Sequence, residues 1–205
     1  VPIFLLSPAY CGGRRAKILL KPGSSIDLAK KLDAGTLTLG EAFAFLSGLY
    51  FRGKLAYATA FGRAAGAGDP GAFVITPTRG LLPPDTIVTA ALLHEFAGVD
   101  VSAGDPRYRG PLERDVAALA ARLSGDAVVV LLGSIASGKY VDVLVSLLGA
   151  HLHYPPSFIG RGDMSRGGLL LRSVDARMEL DYAVLDLAAV RHGPRPPKLG
   201  PRRVP

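Results

Sequence analysis

The stretch Ala127-Val-Val-Val-Leu-Leu132 runs into Gly133-Ser-Ile-Ala-Ser-Gly-Lys139-Tyr140, an apolar run ending in a turn of small residues. Tyr140, Val143, Leu144 and Leu147 then recur at i, i+3, i+4 and i+7, the period of an amphipathic helix. A buried strand therefore ends in a Gly/Ser-rich turn that opens a helix. Free backbone N–H groups and the positive helix end suit such a turn to anions, and Lys139 adds a formal charge. The spacing G-x-x-x-x-G-K is the phosphate-loop pattern up to its last position, where Ser or Thr binds Mg²⁺. Here that position is Tyr140, and a phenol cannot replace a short hydroxyl one bond from the backbone. No later apolar run ends in a clear metal-binding carboxylate; Asp181 and Asp186 are the nearest candidates. Nucleotide hydrolysis is thereby disfavoured. Two readings stay open: a packing turn made of small residues, or a non-hydrolytic anion site with nucleic-acid phosphate as its leading ligand.

Outward from this unit the chain alternates. Ile3 to Leu6 reads as a first buried strand, followed by a loop from Ser7 to Arg15. Thr38 is an N-cap for a helix over 39–47, and a second helix is expected over 54–65. Residues 66–71 (Gly-Ala-Gly-Asp-Pro-Gly) punctuate a loop, and 72–76 form a short strand. Loops are expected over 76–85 and 102–111, and a helix over 112–123. After Tyr154-Pro-Pro and a Gly-rich loop over 160–168, the runs 169–174 and 178–185 read as strands. Strands alternating with helices predict an α/β layered fold, with a central mixed, largely parallel sheet flanked by helices. In such a sheet the loops at Ser7, Thr76 and Ser134 share one rim, where ligands bind.

The chain has 205 residues, nearly half of them apolar, enough for one domain with a sizeable core. No apolar run reaches the roughly 20 residues that span a bilayer, and Ile3 to Leu6 is too short for a signal peptide. One cysteine and four histidines argue against a disulfide framework and a Cys/His zinc cluster and fit a reducing cytoplasm. No metal and no cofactor is expected. The net charge is +7, and five of its basic residues (Arg191, Arg195, Lys198, Arg202 and Arg203) lie in the last fifteen positions with no acid among them. Five prolines share that segment. The expected organisation is a single α/β domain over 1–190 and a basic, Pro-rich, extended arm over 191–205, either solvated or following a phosphate backbone.

Five segments, in order, resemble the YaaA family of bacterial peroxide-stress proteins. Leu6-Ser-Pro-Ala9 is similar to its I-S-P-A opening, and Phe51-Arg-Gly-Lys-Leu-Ala-Tyr57 to its F-K-G-x-V-Y segment. Gly80-Leu-Leu-Pro-Pro-Asp85 is similar to its Y-G-x-L-x-P-x-D turn, with Arg79 where an aromatic is usual. Leu132 to Tyr140 resembles N-L-A-S-x-E-Y, with Lys139 in place of Glu, and Ser165 to Leu170 resembles K-x-A-R-G-x-M. The resemblance implies a cytoplasmic α/β protein that binds DNA and acts in oxidative-stress protection or DNA repair. The family's helix-hairpin-helix is not evident in this chain. More distantly, the layout is similar to uracil-DNA-glycosylase-like base-modification domains.

The loops supply the candidate chemistry. Ser7, Tyr10, Cys11, Arg14, Arg15 and Lys17 crowd the first rim loop, and Cys11 beside two arginines is a candidate for a lowered pKa, although a small buried thiol explains it as well. Arg52, Lys54 and Tyr57 interleave charge with aromatics, as stacking-plus-phosphate sites do; an amphipathic helix start does the same. Arg161 and Arg166 punctuate the Gly-rich loop. His151 and His153 are spaced as a metal pair but lack a third ligand. The expected phosphate or nucleic-acid contacts are Ser7, Arg14, Arg15, Arg52, Lys54, Tyr57, Arg79, Ser134, Ser137, Lys139, Arg161 and Arg166. If the chain is an enzyme on nucleobases or nucleotides, Cys11, Asp85 and Tyr140 are the catalytic candidates. The expected partner is single- or double-stranded DNA, with a nucleotide or nucleobase as the alternative and no membrane.

Overall fold

The computed structural model describes residues 2–62, 70–136 and 138–202. A six-stranded sheet is built from β1 (Ile3–Leu6), β2 (Ala72–Ile75), β3 (Leu81–Leu82), β4 (Val129–Leu132), β5 (Leu152–Tyr154) and β6 (Ala183–Val184), in the order β3-β2-β1-β4-β5-β6. The four inner strands are parallel, and β3 and β6 are antiparallel edges. Both central strands, Ile-Phe-Leu-Leu and Val-Val-Leu-Leu, are fully apolar because helices cover both faces. Period 2 divides them. Phe4, Leu6, Val130 and Leu132 enter one core, and Ile3, Leu5, Val129 and Leu131 the other.

Helices α1 (Arg14–Leu19), α2 (Asp27–Asp33), α3 (Leu39–Ser47) and α4 (Leu49–Phe61) carry the chain from β1 to β2. Then α5 (Ala90–Ala97) and α6 (Pro106–Ala120) return it to the other side of β1, where β4 begins. Strand order therefore reverses between β1 and β4, the position at which open α/β sheets split to form a ligand crevice. The register pairs Leu6 with Leu132, and the Ser7 N–H donates to the Leu132 carbonyl at 3.2 Å, so both strands release their loops side by side. Helices α7 (Val141–Leu148) and α8 (Asp163–Ala176) complete the layers.

Local signals explain several boundaries. Thr38 caps α3 in a reciprocal box: its hydroxyl accepts from Glu41 N at 3.2 Å, and the Glu41 carboxylate accepts from Thr38 N at 3.1 Å. Gly48, at φ 68°, ends α3 and opens α4 at once, so α4 starts at Leu49 rather than at Lys54. The helix ends at Phe61 with Gly62 extended as its cap, short of the expected Ala65; residues 63–69 lie outside the described ones. Asp105 caps α6 and Pro106 takes its first position, so this helix begins inside the expected 102–111 loop. The expected strand over 169–174 is instead the second half of α8, whose buried positions Arg166, Gly167, Leu170 and Ser173 keep a helical period. Of the run 178–185 only Ala183 and Val184 pair as strand.

The C-terminal segment carries no helix or strand among its described residues, and it folds back on the domain. Arg191 pairs with Asp142 at 3.2 Å, Arg202 pairs with Asp175 at 2.7 Å, and Arg172 donates to the Gly200 carbonyl. Arg203 lies outside the described residues. Among those residues no helix is long and apolar enough to cross a membrane.

Candidate functional site at the β1–β4 switch point

Helices α4 and α8 cross without side chains between them. A β-carbon on Gly53 would lie 2.7 Å from the Gly167 carbonyl oxygen, and one on Gly167 would lie 2.6 Å from that of Leu49. Only glycine allows this approach, and it draws Lys54 and Arg166, the adjacent residues, into the layer beneath the end of β1. Lys54 is 1% exposed and Arg166 9%. Arg166 donates to the Asp163 carboxylate at 3.2 Å and to the Phe158 carbonyl at 3.3 Å.

Among the described residues Lys54 has no carboxylate within salt-bridge distance. Its Nζ lies 2.6 Å from the Ser7 carbonyl oxygen, 2.8 Å from Ser7 Oγ and 4.5 Å from the centre of the Tyr50 ring. Burial pushes its pKa down from 10.5 to about 7; Asp163 opposes the shift and Arg166 adds to it. Tyr140 turns inward from the start of α7, and its hydroxyl donates to the Ser134 carbonyl at 2.8 Å. A β-carbon on Gly133 would lie 2.8 Å from Tyr140 Oη and 2.9 Å from Ser7 Cβ, so the glycine lets these two side chains meet. Burial raises the Tyr140 phenol to about 12, opposed by its contact with Ser7. Tyr50 Oη is buried, and its O–H has no acceptor among the described residues; burial pushes its pKa up, opposed by the Arg166 guanidinium beside it.

Above this group opens a cavity of about 770 Å³. Ser7, Tyr50, Lys54 and Tyr140 form its base, and Tyr10, Arg14, Arg15, Lys139, Asp100 and Asp163 stand around it. Tyr10 is 75% exposed. Arg14 and Lys139 are exposed and make no hydrogen bond or ion pair among the described residues, whereas Arg15 donates to the Phe45 carbonyl at 3.0 Å.

Of the expected contacts, the cavity gathers Ser7, Arg14, Arg15, Lys54, Ser134 and Lys139, together with Cys11 and Tyr140 from the catalytic candidates. Others lie elsewhere. Arg79 is paired with Glu95 at 2.7 Å, Arg161 is bonded to Ser157 and Ser165, and Arg52 is exposed away from the cavity. Tyr57 is buried against Tyr182, with 2.6 Å between their hydroxyls. Asp85 is exposed in the turn beside the start of α3 and does not line the cavity. Ser137 lies outside the described residues. Of the two readings of Cys11, the structure shows the small buried thiol: it donates to the Ala9 carbonyl at 3.6 Å, and burial pushes its pKa up to about 12 rather than down. The 133–140 turn also differs from an open phosphate nest. A β-carbon on Gly138 would lie 2.6 Å from Asp142 Oδ2, so a carboxylate already stands at the amino end of α7. His151 and His153 each bond a backbone carbonyl, and no group of three His, Cys, Asp or Glu side chains gathers among the described residues.

The sequence reading missed Tyr50 and Asp100. A tyrosine at the start of an apolar helix carries no signal that distinguishes it from core. Comparison of the chain with family models, curated proteins and solved structures returns no match.

Proposed function

We propose that the protein binds and processes one nucleotide unit in this cavity, free or exposed within a DNA strand. The observation that carries the reading is the cavity mouth, where an exposed tyrosine, Tyr10, stands with Arg14 and Lys139, two cations without an ion pair among the described residues. A π-face and two free cations are the two recognition elements of a nucleotide: a stacking platform for the base and charge for the phosphate. The volume, about 770 Å³, suits a single small ligand rather than a duplex groove. The resemblance of Leu6–Ala9, Phe51–Tyr57 and the neighbouring segments to the YaaA family supports DNA, in protection or repair, as the source of the unit.

Fluorescence anisotropy with a labelled single-stranded oligonucleotide, in a salt series and in competition with deoxynucleoside monophosphates, tests the reading. Arg14→Ala with Lys139→Ala is expected to weaken binding at least tenfold and to reduce the salt slope by about 1.4 for two lost phosphate contacts. Displacement by the monophosphate marks the cavity as the site; displacement by duplex alone marks a surface groove. Unchanged affinity and slope in the double variant would sink the assignment.

A further inference from the structure

We propose that Ser7 is the nucleophile of an acyl-transfer centre with Lys54 as its general base, acting on an ester or amide carried by a nucleotide. The nucleotide part of this assignment rests on the function proposed above; the reacting centre does not.

Three observations converge. Lys54 is buried without a carboxylate partner, and its Nζ touches both oxygens of Ser7, at 2.6 Å and 2.8 Å. A neutral amine in that position donates one N–H to the Ser7 carbonyl, which aims its lone pair at the Ser7 hydroxyl. The groups facing Lys54 are Asp163 and Arg166 from α8, Tyr50 from its own helix, and Tyr140 beyond Ser7; Asp163 favours the ammonium, but desolvation outweighs it and Arg166 opposes it. Burial holds the amine near neutrality at about 7, within the range of a working base. Finally, Tyr50 Oη is buried and its O–H has no acceptor among the described residues, in a side chain that lines the same cavity as Ser7. An unspent O–H in the cavity that holds the nucleophile is what a developing oxyanion requires.

The placement of the proton carriers selects the reaction. Lys54 and Tyr140 both lie on the Ser7 side of the centre. An in-line phosphoryl displacement expels its leaving group on the far side, out of their reach. Acyl addition returns the leaving group to the side of attack, so one base serves both halves. Ser7 Oγ bonds to the carbonyl carbon, and its proton passes to Lys54 Nζ. The tetrahedral oxyanion is held by Tyr50. The carbon–oxygen or carbon–nitrogen bond to the leaving group breaks, and Lys54 returns the proton to that group. Water then adds to the acyl-Ser7 ester, giving its proton to Lys54. The acid departs and Ser7 regains its hydrogen, so the net change is one acyl bond hydrolysed by one water.

The test is covalent labelling of the full chain with phenylmethylsulfonyl fluoride, with the adduct mapped by peptide mass spectrometry. The expected result is a single adduct on Ser7, absent in Ser7→Ala. Its rate should rise with pH through a midpoint near 7, as Lys54 loses its proton, and fall at least 100-fold in Lys54→Arg. No adduct, an adduct elsewhere, or a Ser7 adduct indifferent to pH and to Lys54→Arg overturns the centre. Because the reagent is uncharged, its reaction does not depend on the cations at the mouth. A Ser7 adduct that deoxynucleoside monophosphates fail to slow keeps the reacting centre and removes the nucleotide. Nucleotide binding without an adduct does the reverse. Burst hydrolysis of p-nitrophenyl acetate, lost in Ser7→Ala, is expected alongside the adduct.

Discussion

Against Ile3, Leu5, Val129 and Leu131, helices α6 and α7 place Leu112, Val116, Leu119, Val141 and Leu144, and the layer buries no charged group, only the hydroxyls of Tyr108 and Tyr140. Against Phe4, Leu6, Val130 and Leu132, helices α4 and α8 place Phe51 and Leu170, but also Lys54 and Arg166. The same strands thus have one face filled by shape and another that buries two cations. The cations are confined to the carboxyl end of the sheet, next to Ser7. Burying an ammonium without a counter-ion opposes folding. Where a chain accepts that cost in one place and avoids it on the facing layer, the place is a candidate for function.

The largest expected effect tests whether the cost is real. Below pH 7 Lys54 is protonated in both the folded and the unfolded chain, and the burial penalty is borne in full. Between about 7 and 10.5 the unfolded chain holds a proton that the folded chain has released, so stability rises with pH. Relative to Lys54→Met, which removes the group, the gain across the whole window is at most about 5 kcal/mol at 1.36 kcal/mol per unit. Urea unfolding of both proteins at pH 6, 7.5 and 9 measures it. A constant difference would give Lys54 an ordinary pKa and erase the contrast between the faces.

The plain face supplies the converse. Leu112→Ala, in the apolar layer under α6, should cost about 2–5 kcal/mol through lost burial and a cavity. Folded variant protein should keep the Ser7 adduct rate of the parent, since Leu112 does not line the cavity. A loss of labelling in still-folded protein would mean that the two faces are one cooperative site.

How much of this contrast was legible in the sequence differs between strands and helices. Ile3–Leu6 and Val129–Leu132 could be read because a short apolar run bounded by small residues has few other fates in an alternating chain. Thr38 could be read because an N-cap is a local chemical signal. Leu169 to Val174 could not, since a six-residue apolar run fits either period and the helix is decided upstream, at Asp163 and Arg166. The edge strands β3 and β6, two residues each, are too short to carry a pattern. The parallel-sheet rule brought Ser7, Ser134 and Lys139 to one rim correctly. It could not reveal that Lys54, read as a phosphate contact or as part of an amphipathic helix start, is buried, because that follows from a contact between Gly53 and Gly167 more than a hundred positions apart.

That contact gives the smallest effect and the sharpest control, because α8 holds two consecutive glycines in different surroundings. A β-carbon on Gly167 would meet the Leu49 carbonyl oxygen at 2.6 Å and Tyr50 Cα at 2.8 Å, both backbone atoms that cannot turn aside. On Gly168 it would meet only the end of the Arg172 side chain at 3.1 Å and Leu199 at 3.7 Å. In an ordinary helix interior either change to Ala gains up to about 1 kcal/mol from propensity. Gly168→Ala should show that sign. Gly167→Ala should show the opposite, costing about 1–3 kcal/mol as α4 and α8 are forced apart. It should also slow labelling of Ser7, because Tyr50 and Lys54 move with α4. Thermal unfolding and the adduct rate, measured on both variants, separate the two glycines. If Gly167→Ala stabilises like its neighbour and leaves labelling intact, the close crossing is not what seats Lys54, and the difference between the two faces needs another origin.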